Sequence, residues 1–287
     1  MGEKISRTGF FLNRGRISGT GSFMSEKSIS DTEVAHRLAD AARAAILPFF
    51  RQADLGTENK LSEGFDPVTI ADRAAEEAMR TLLAELRPLD GIHGEEFPPV
   101  ESKSGRTWVL DPIDGTRGFI SGTPTWGVLI ALSEDQGPVL GVIDQPYIQE
   151  RFTGGAGVGE VTGPQGTTAL KVRKTSSLDQ AILFSTFPEV GTADEEQAFR
   201  RVARQVQLTR YGMDCYAYAL LAAGQADLVI EAGLNAYDIQ APIAVIEAAG
   251  GIVTNWEGGP VHEGGRALAA ATPELHAAAM KLLQAKD

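Results

Sequence analysis

Two aspartates, Asp111 and Asp114, stand three residues apart at the end of an apolar run, in Trp108-Val-Leu-Asp111-Pro-Ile-Asp114-Gly-Thr116. Carboxylates so close repel each other unless a cation or a proton lies between them. A hard divalent cation such as Mg2+ prefers oxygen ligands of this kind. Gly115 and Thr116 then open what reads as a short helix, whose N-terminal N–H groups would face an anion. Metal on one side and amide donors on the other make a phosphate site. The plainer alternative is an Asx-turn with two solvated aspartates.

Three more acidic positions fall at the expected ends of elements. His93-Gly94-Glu95-Glu96 follows a short apolar stretch, and an exposed acidic loop is its alternative reading. Asp72 lies in the first turn of an expected helix, where a carboxylate also favours the helix dipole. Asp238 stands at the start of another helix, where simple capping is the competing role. Together these positions supply acidic ligands from four separated segments. No histidine or cysteine site competes with them, since the chain has four histidines and the single cysteine Cys215. Walker, H-E-x-x-H and G-x-S-x-G patterns are absent from the sequence.

The arrangement resembles the inositol monophosphatase superfamily of Mg2+-dependent, lithium-sensitive phosphatases. The resemblance rests on D-P-V-T-x-A-D at 66–72, G-E-E at 94–96, W-V-L-D-P-I-D-G-T-R at 108–117 and Y-D-I-Q-A-P beginning at Tyr237. In the last of these Tyr237 replaces the family's tryptophan. The resemblance spans about residues 30–285 and implies a layered αβαβα sugar-phosphatase-like fold. It implies that Glu95, Asp111 and the carbonyl of Ile113 hold one metal, while Asp111, Asp114 and Asp238 hold a second. Asp72 and Thr116 would orient the attacking water, with Glu95 beside them in the catalytic set. The amides of Gly115 and Thr116 would grip the phosphate. The implied cofactor is Mg2+, two or three ions per site, with Mn2+ as a substitute and Li+ as an inhibitor. The implied assembly is a homodimer.

Substrate choice is expected in the second half. The run Arg210-Tyr-Gly-Met-Asp214-Cys-Tyr-Ala-Tyr218 precedes Glu231, which precedes Asp238 by seven residues. Within the family Glu231 matches a residue that contacts the leaving group. Asp214 takes a position that is small and neutral in inositol phosphatases. Two carboxylates suit a cationic leaving group better than a neutral polyol, and histidinol carries an amine and an imidazole. Gly212–Tyr218 and Gly115–Gly127 look like the histidinol-phosphatase branch. Arg210, Asp214 and Glu231 are the candidate substrate-binding side chains, although Asp214 also fits as the N-cap of the next helix. The expected activity is hydrolysis of histidinol phosphate. An inositol monophosphatase or broad-specificity phosphatase is the alternative, and a non-catalytic metal-binding regulator is a third reading.

These residues need elements to hold them. Ser30 and Glu33 have capping-box spacing, and a helix runs from there until Pro48 ends it near Arg51. A second helix follows Pro67, with Ala71, Ala75, Met79, Leu82 and Leu86 on one stripe. Strands are expected at 107–110, 125–132, 139–143 and 151–153, giving an α+β pattern. The Gly-rich run 154–166 reads as hairpin turns leading to a domain boundary. Strands at 181–185, 208–210, 227–231 and 252–255 then alternate with helices at 194–206, 216–223, 239–249 and 273–285, an α/β rhythm. The expected division is a 1–29 disordered extension, or an upstream start before Met24, followed by a metal-binding half at 30–165 and a substrate-recognition half at 166–287.

Composition narrows the partners. With 38 acidic and 26 basic residues the net charge is −12, against the basic face that non-specific nucleic-acid binding requires. The same balance opposes a polybasic membrane surface. One cysteine permits no internal disulfide, which points to a reducing, cytoplasmic compartment. The expected partner is a small phosphate monoester, with neither nucleic acid nor membrane.

Overall fold

The computed structural model of the chain describes residues 1–2, 29–52, 58–59 and 67–285. The expected N-terminal extension, apart from residues 1, 2 and 29, lies outside the described residues, as does Asp66.

Helix α1, Asp31–Ile46, starts where the Ser30 side chain accepts the Glu33 N–H. It ends two residues before Pro48, earlier than the expected stop near Arg51. Short strands β1, Glu58–Asn59, and β2, Pro67–Val68, pair antiparallel. Helix α2, Ile70–Leu86, buries Ala71, Asp72, Ala75, Glu76, Met79 and Leu83. Two carboxylates therefore share its core-facing stripe.

Strands β3, Gly91–Gly94, and β4, Thr107–Asp114, pair in parallel, and the six-residue helix α3, Thr116–Ser121, follows. Then come β5, Gly127–Glu134, β6, Gly137–Gln145, β7, Glu150–Gly155, β8, Val158–Gly163, and β9, Gly166–Ala169. From β4 to β9 each pairs antiparallel with the next, in sequence order. The Gly-rich run thus does more than turn: it supplies the whole of β8 and carries the sheet on to β9. Its glycines hid this because they weaken strand propensity.

The second sheet contains β10, Ile182–Ser185, β11, Leu208–Tyr211, β12, Leu228–Leu234, β13, Ile252–Asn255, and β14, Gly265–Ala270. Their order is β11-β10-β12-β14-β13. Helices α4, Ala193–Ala203, α5, Cys215–Ala222, α6, Ala236–Ala248, and α7, Pro273–Leu283, alternate with them. Strand β14 was not expected from the sequence. Its Arg-Ala-Leu-Ala-Ala run has weak strand propensity, yet it pairs between β12 and β13 and is fully buried from Ala267 to Ala270.

Three apolar clusters occupy three interlayer spaces. One joins α1 and α2 to one face of the first sheet. The largest joins the other face to α5, α6 and the second sheet. The third joins the second sheet to α4 and α7. The layer order is therefore αβαβα, the mixed layered fold that the sequence implied. No helix among the described residues is long and apolar enough to cross a membrane.

Candidate active site

Strand β4 carries Asp111 and Asp114 on the strand itself, not in the loop expected after residue 110. In a regular strand residues three apart point to opposite faces. Here Asp111 pairs with Leu129 and Asp114 with Gly127, so three steps on β4 face two on β5. The extra residue is a bulge, and Pro112, which has no N–H to give the ladder, lies within it. The bulge lets both carboxylates line one cavity.

That cavity, about 280 Å3, opens where β3, β4, β10 and β12 end and where α3, α5 and α6 begin. Asp111, Asp114 and Asp238 can each bring one oxygen within 4.8 Å of the other two. Glu95 and Ile113 line the same space. Burial, then the charges of Glu95, Asp114 and Asp238, pushes the Asp111 carboxyl well above the usual range. Burial, Asp214 and Asp238 do the same to Asp114, despite the N–H of Cys215 on its Oδ2. Burial and Glu95 raise Asp238 to about 6. Asp111 Oδ1 is buried without a hydrogen-bond partner. An all-oxygen cluster under mutual repulsion, with an unpartnered oxygen, fits a hard divalent cation.

Asp238 caps its helix, the alternative expected of it, and still lines the cavity; Asp72, expected to favour the helix dipole, caps α2 and does not line the cavity, though its charge reaches Asp111. Asp72 Oδ2 accepts the Thr69 N–H at 2.8 Å and the Thr69 hydroxyl at 2.6 Å. Its Oδ1 is buried and without a partner. Burial, then Glu96 and Glu95, raises this carboxyl to about 7. Asp238 Oδ2 accepts the Asn235 N–H at 2.6 Å. In each case the capping box engages one oxygen and fixes the carboxylate against its helix end. Asp238 is the third residue of α6, which begins three residues earlier than expected.

Gly115 precedes α3 at φ +82, a left-handed conformation that favours glycine. A Cβ there would also meet the Asp214 carboxylate at 2.7 Å. Thr116 donates its hydroxyl to the Ile113 carbonyl at 3.1 Å.

The rest of the lining comes from the second sheet and from the turn before α5. Glu231 on β12 is 7% exposed. It accepts the Thr186 N–H at 2.7 Å, the Thr186 hydroxyl at 2.9 Å and the Ser185 hydroxyl at 3.3 Å. Burial raises its carboxyl to about 7. Asp214 precedes α5 but its side chain caps nothing there. It accepts a long bond from the Thr125 hydroxyl at 3.4 Å, and its backbone takes the unusual φ of +48. Burial raises its carboxyl, partly offset by the nearby Arg117.

Arg210 is not brought to the cavity. It stands exposed on β11, an edge strand. Alternation explains it: Thr209, its neighbour, takes the inward place. Thr186 and Phe187 were missed. Phe187 lines the cavity, with the Arg117 guanidinium 5.1 Å from its ring. Neither residue belongs to a motif, and only the β10–β12 pairing carries them here.

The model of the inositol monophosphatase family matches residues 29–287. The chain belongs to the inositol monophosphatase family. Among its relatives, a chloroplastic bifunctional phosphatase of Arabidopsis thaliana is 42% identical over 265 residues, covering 88% of this chain and 75% of that protein. The histidinol-phosphatase of Streptomyces coelicolor is 38% identical, covering 86% of this chain and 94% of its own. A solved structure of an inositol monophosphatase from Zymomonas mobilis matches with a TM-score of 0.78 at 42% identity, covering 89% of this chain and 98% of that one. All three of these proteins are phosphatases by name. The carboxylate-lined cavity gives this member of the family a donor set for the same class of chemistry.

Proposed function

We propose that the chain is a Mg2+-dependent phosphomonoester hydrolase whose preferred substrate is histidinol phosphate. The observation that carries this reading is one cavity lined by five carboxylates. Asp111, Asp114 and Asp238 form a tight cluster, and Asp214, packed on Gly115, and Glu231 add two more.

Glu95, Asp111 and the Ile113 carbonyl would hold one cation, and Asp111, Asp114 and Asp238 a second. When bound, such cations acidify a coordinated water toward neutral pH and neutralise charge on the phosphate. Asp72 and Thr116 orient the attacking water, with the free Oδ1 of Asp72 as one acceptor. The amides of Gly115 and Thr116 hold the phosphate oxygens at the start of α3. Glu231 is fixed by Ser185 and Thr186, so it meets a cationic leaving group with little reordering. Histidinol supplies such a cation, and a relative at 38% identity bears that activity in its name.

A second reading, inositol monophosphate as substrate, is favoured by the Zymomonas mobilis structure and by Arg117, which offsets the charge of Asp214. Phosphate release from histidinol phosphate, inositol 1-phosphate and p-nitrophenyl phosphate, with and without Mg2+, tests both. The first reading expects kcat/KM for histidinol phosphate about tenfold or more above that for inositol 1-phosphate. A reversed order would establish the second reading. No release from any of the three with Mg2+ would leave a non-catalytic regulator.

A further inference from the structure

One turn beyond Asp72 on the buried stripe of α2 lies Glu76, 0% exposed and assigned no role above. Its Oε1 accepts Arg80 Nε at 2.7 Å. Its Oε2 accepts the backbone N–H of Glu96, also at 2.7 Å. Arg80 in turn donates to the Phe97 carbonyl at 3.0 Å, and its guanidinium lies 5.7 Å from the Phe97 ring centroid. The ion pair thus grips two consecutive residues immediately after Glu95. On the other side of Glu95, Gly94 packs directly on Glu76, where an added Cβ would overlap the carboxylate. Glu95 is therefore flanked on both sides by backbone that one buried side chain fixes.

We propose that Glu76, held by Arg80, is the positioning residue for Glu95, setting the main chain from which that carboxylate reaches the metal. The inference rests on reading Glu95 as a metal ligand. A buried ion pair adds little net stability over an apolar pair of the same size, so its value here is the geometry that it fixes. Partners that orient a ligand from behind alter metal affinity about 10- to 100-fold when changed. Glu76 acts in this way through the backbone of its target.

The test uses the full chain and Mn2+ as the probe, with the dissociation constant read by titration calorimetry or electron paramagnetic resonance. Glu76→Gln keeps the length and an acceptor for Glu96 but loses the charge that holds Arg80. It should weaken Mn2+ binding about 10- to 100-fold, and raise the Mg2+ concentration for half-maximal activity in step. The value of kcat at saturating Mg2+ should fall much less. Gly94→Ala disturbs the same contact without changing any charge and should shift affinity in the same direction. It also serves if Glu76→Gln fails to fold. Arg80→Lys, which keeps a cation beside Glu76 but loses the fork to Phe97, should give a smaller shift. Unchanged Mn2+ affinity in folded Glu76→Gln and Gly94→Ala, beside a weakened Glu95→Gln, would overturn the positioning role alone. Unchanged affinity in Glu95→Gln would overturn the ligand reading and the inference with it.

Discussion

The two walls of the cavity are built by different means. The wall of Asp111, Ile113, Asp114, Gly115 and Thr116 is one continuous stretch, a bulged strand running into a short helix. The second wall gathers Thr186, Asp214 and Glu231 from three separated segments, with Asp214 closing back onto Gly115. In the first, spacing comes from the covalent chain. In the second it depends on how β10, β12 and α5 pack. The difference teaches that chemistry common to many substrates can be encoded locally, whereas choice among leaving groups depends on tertiary placement.

The largest effect is expected where the two metal sites would share a ligand. Asp111→Asn should lower kcat at least about a hundredfold at saturating Mg2+, or roughly 2.7 kcal/mol of barrier. The metal-free variant should melt no lower than the parent, because one member of a repelling buried cluster has been neutralised. The stabilisation that Mg2+ confers, near 2.7 kcal/mol at a hundred times its dissociation constant, should largely vanish. Phosphate release and paired melting curves measure both. A kcat above about a tenth of the parent value would end the shared-ligand reading.

Next comes stability away from both walls. Asp144 is fully buried and bonded to Arg43 and Arg151, tying β6 and β7 to α1. Asp144→Ala takes Arg43's buried partner away and leaves Arg151 with Asp40 alone, and should cost about 3 kcal/mol. That lowers Tm by roughly 5 °C for a chain this size. Activity at 15 °C should nonetheless persist if the walls are independent of this network.

Specificity should move by less. Asp214→Asn or Glu231→Gln removes one charge-assisted contact, about 1.5–3 kcal/mol. That is roughly a 10- to 150-fold loss in kcat/KM for histidinol phosphate. Turnover of p-nitrophenyl phosphate, which carries no cation, should change far less. Equal losses on both substrates would mean that the second wall also serves the chemistry.

The smallest effect concerns protons. Burial, and after it Arg151, holds the His36 imidazolium below its ordinary value of 6.5. The unfolded chain therefore binds that proton more readily than the native one. The contribution is full above pH 6.5 and is lost as the pH falls through the lowered native value. The raised carboxyls of Asp72, Asp238 and Glu231 gain stability on acidification over the same range, so the His36 share is read as a difference: between pH 7 and pH 5.5 the melting temperature of the parent should fall slightly relative to that of His36→Gln. Gln can keep the bond to the Thr153 hydroxyl, now 3.0 Å from Nε2.

Much of the first wall was legible because type and spacing coincide in it. Asp111, Asp114, Glu95 and Asp238 all reach the cavity, as their motifs implied. The bulge was not legible, since nothing local separates a strand that ends at Leu110 from one that continues irregularly to Asp114. For Asp72 and Asp238 the competing roles were legible but their coexistence was not, because it depends on one oxygen capping while the other stays available. The exposed place of Arg210 was not legible, because proximity in sequence to Asp214 says nothing about which side of an edge strand it takes. Thr186 and β14 lay beyond reach for a shared reason. An ordinary threonine and an alanine-rich run acquire their positions only from non-local pairing.

Within the bulge of β4, Ile113 lines the cavity, and its main-chain oxygen accepts from the Thr116 hydroxyl there. Its side chain points elsewhere in function: it is 1% exposed and belongs to the apolar cluster beneath α1 and α2. An alanine scan would consequently score Ile113 as packing alone, since every variant keeps the oxygen. The residue is constrained twice, by volume on one side and by an atom that no substitution can delete on the other. Replacing the amide that follows it with an ester, which weakens the carbonyl as a donor of electron pairs while leaving the side chain intact, is the kind of change that separates the two constraints.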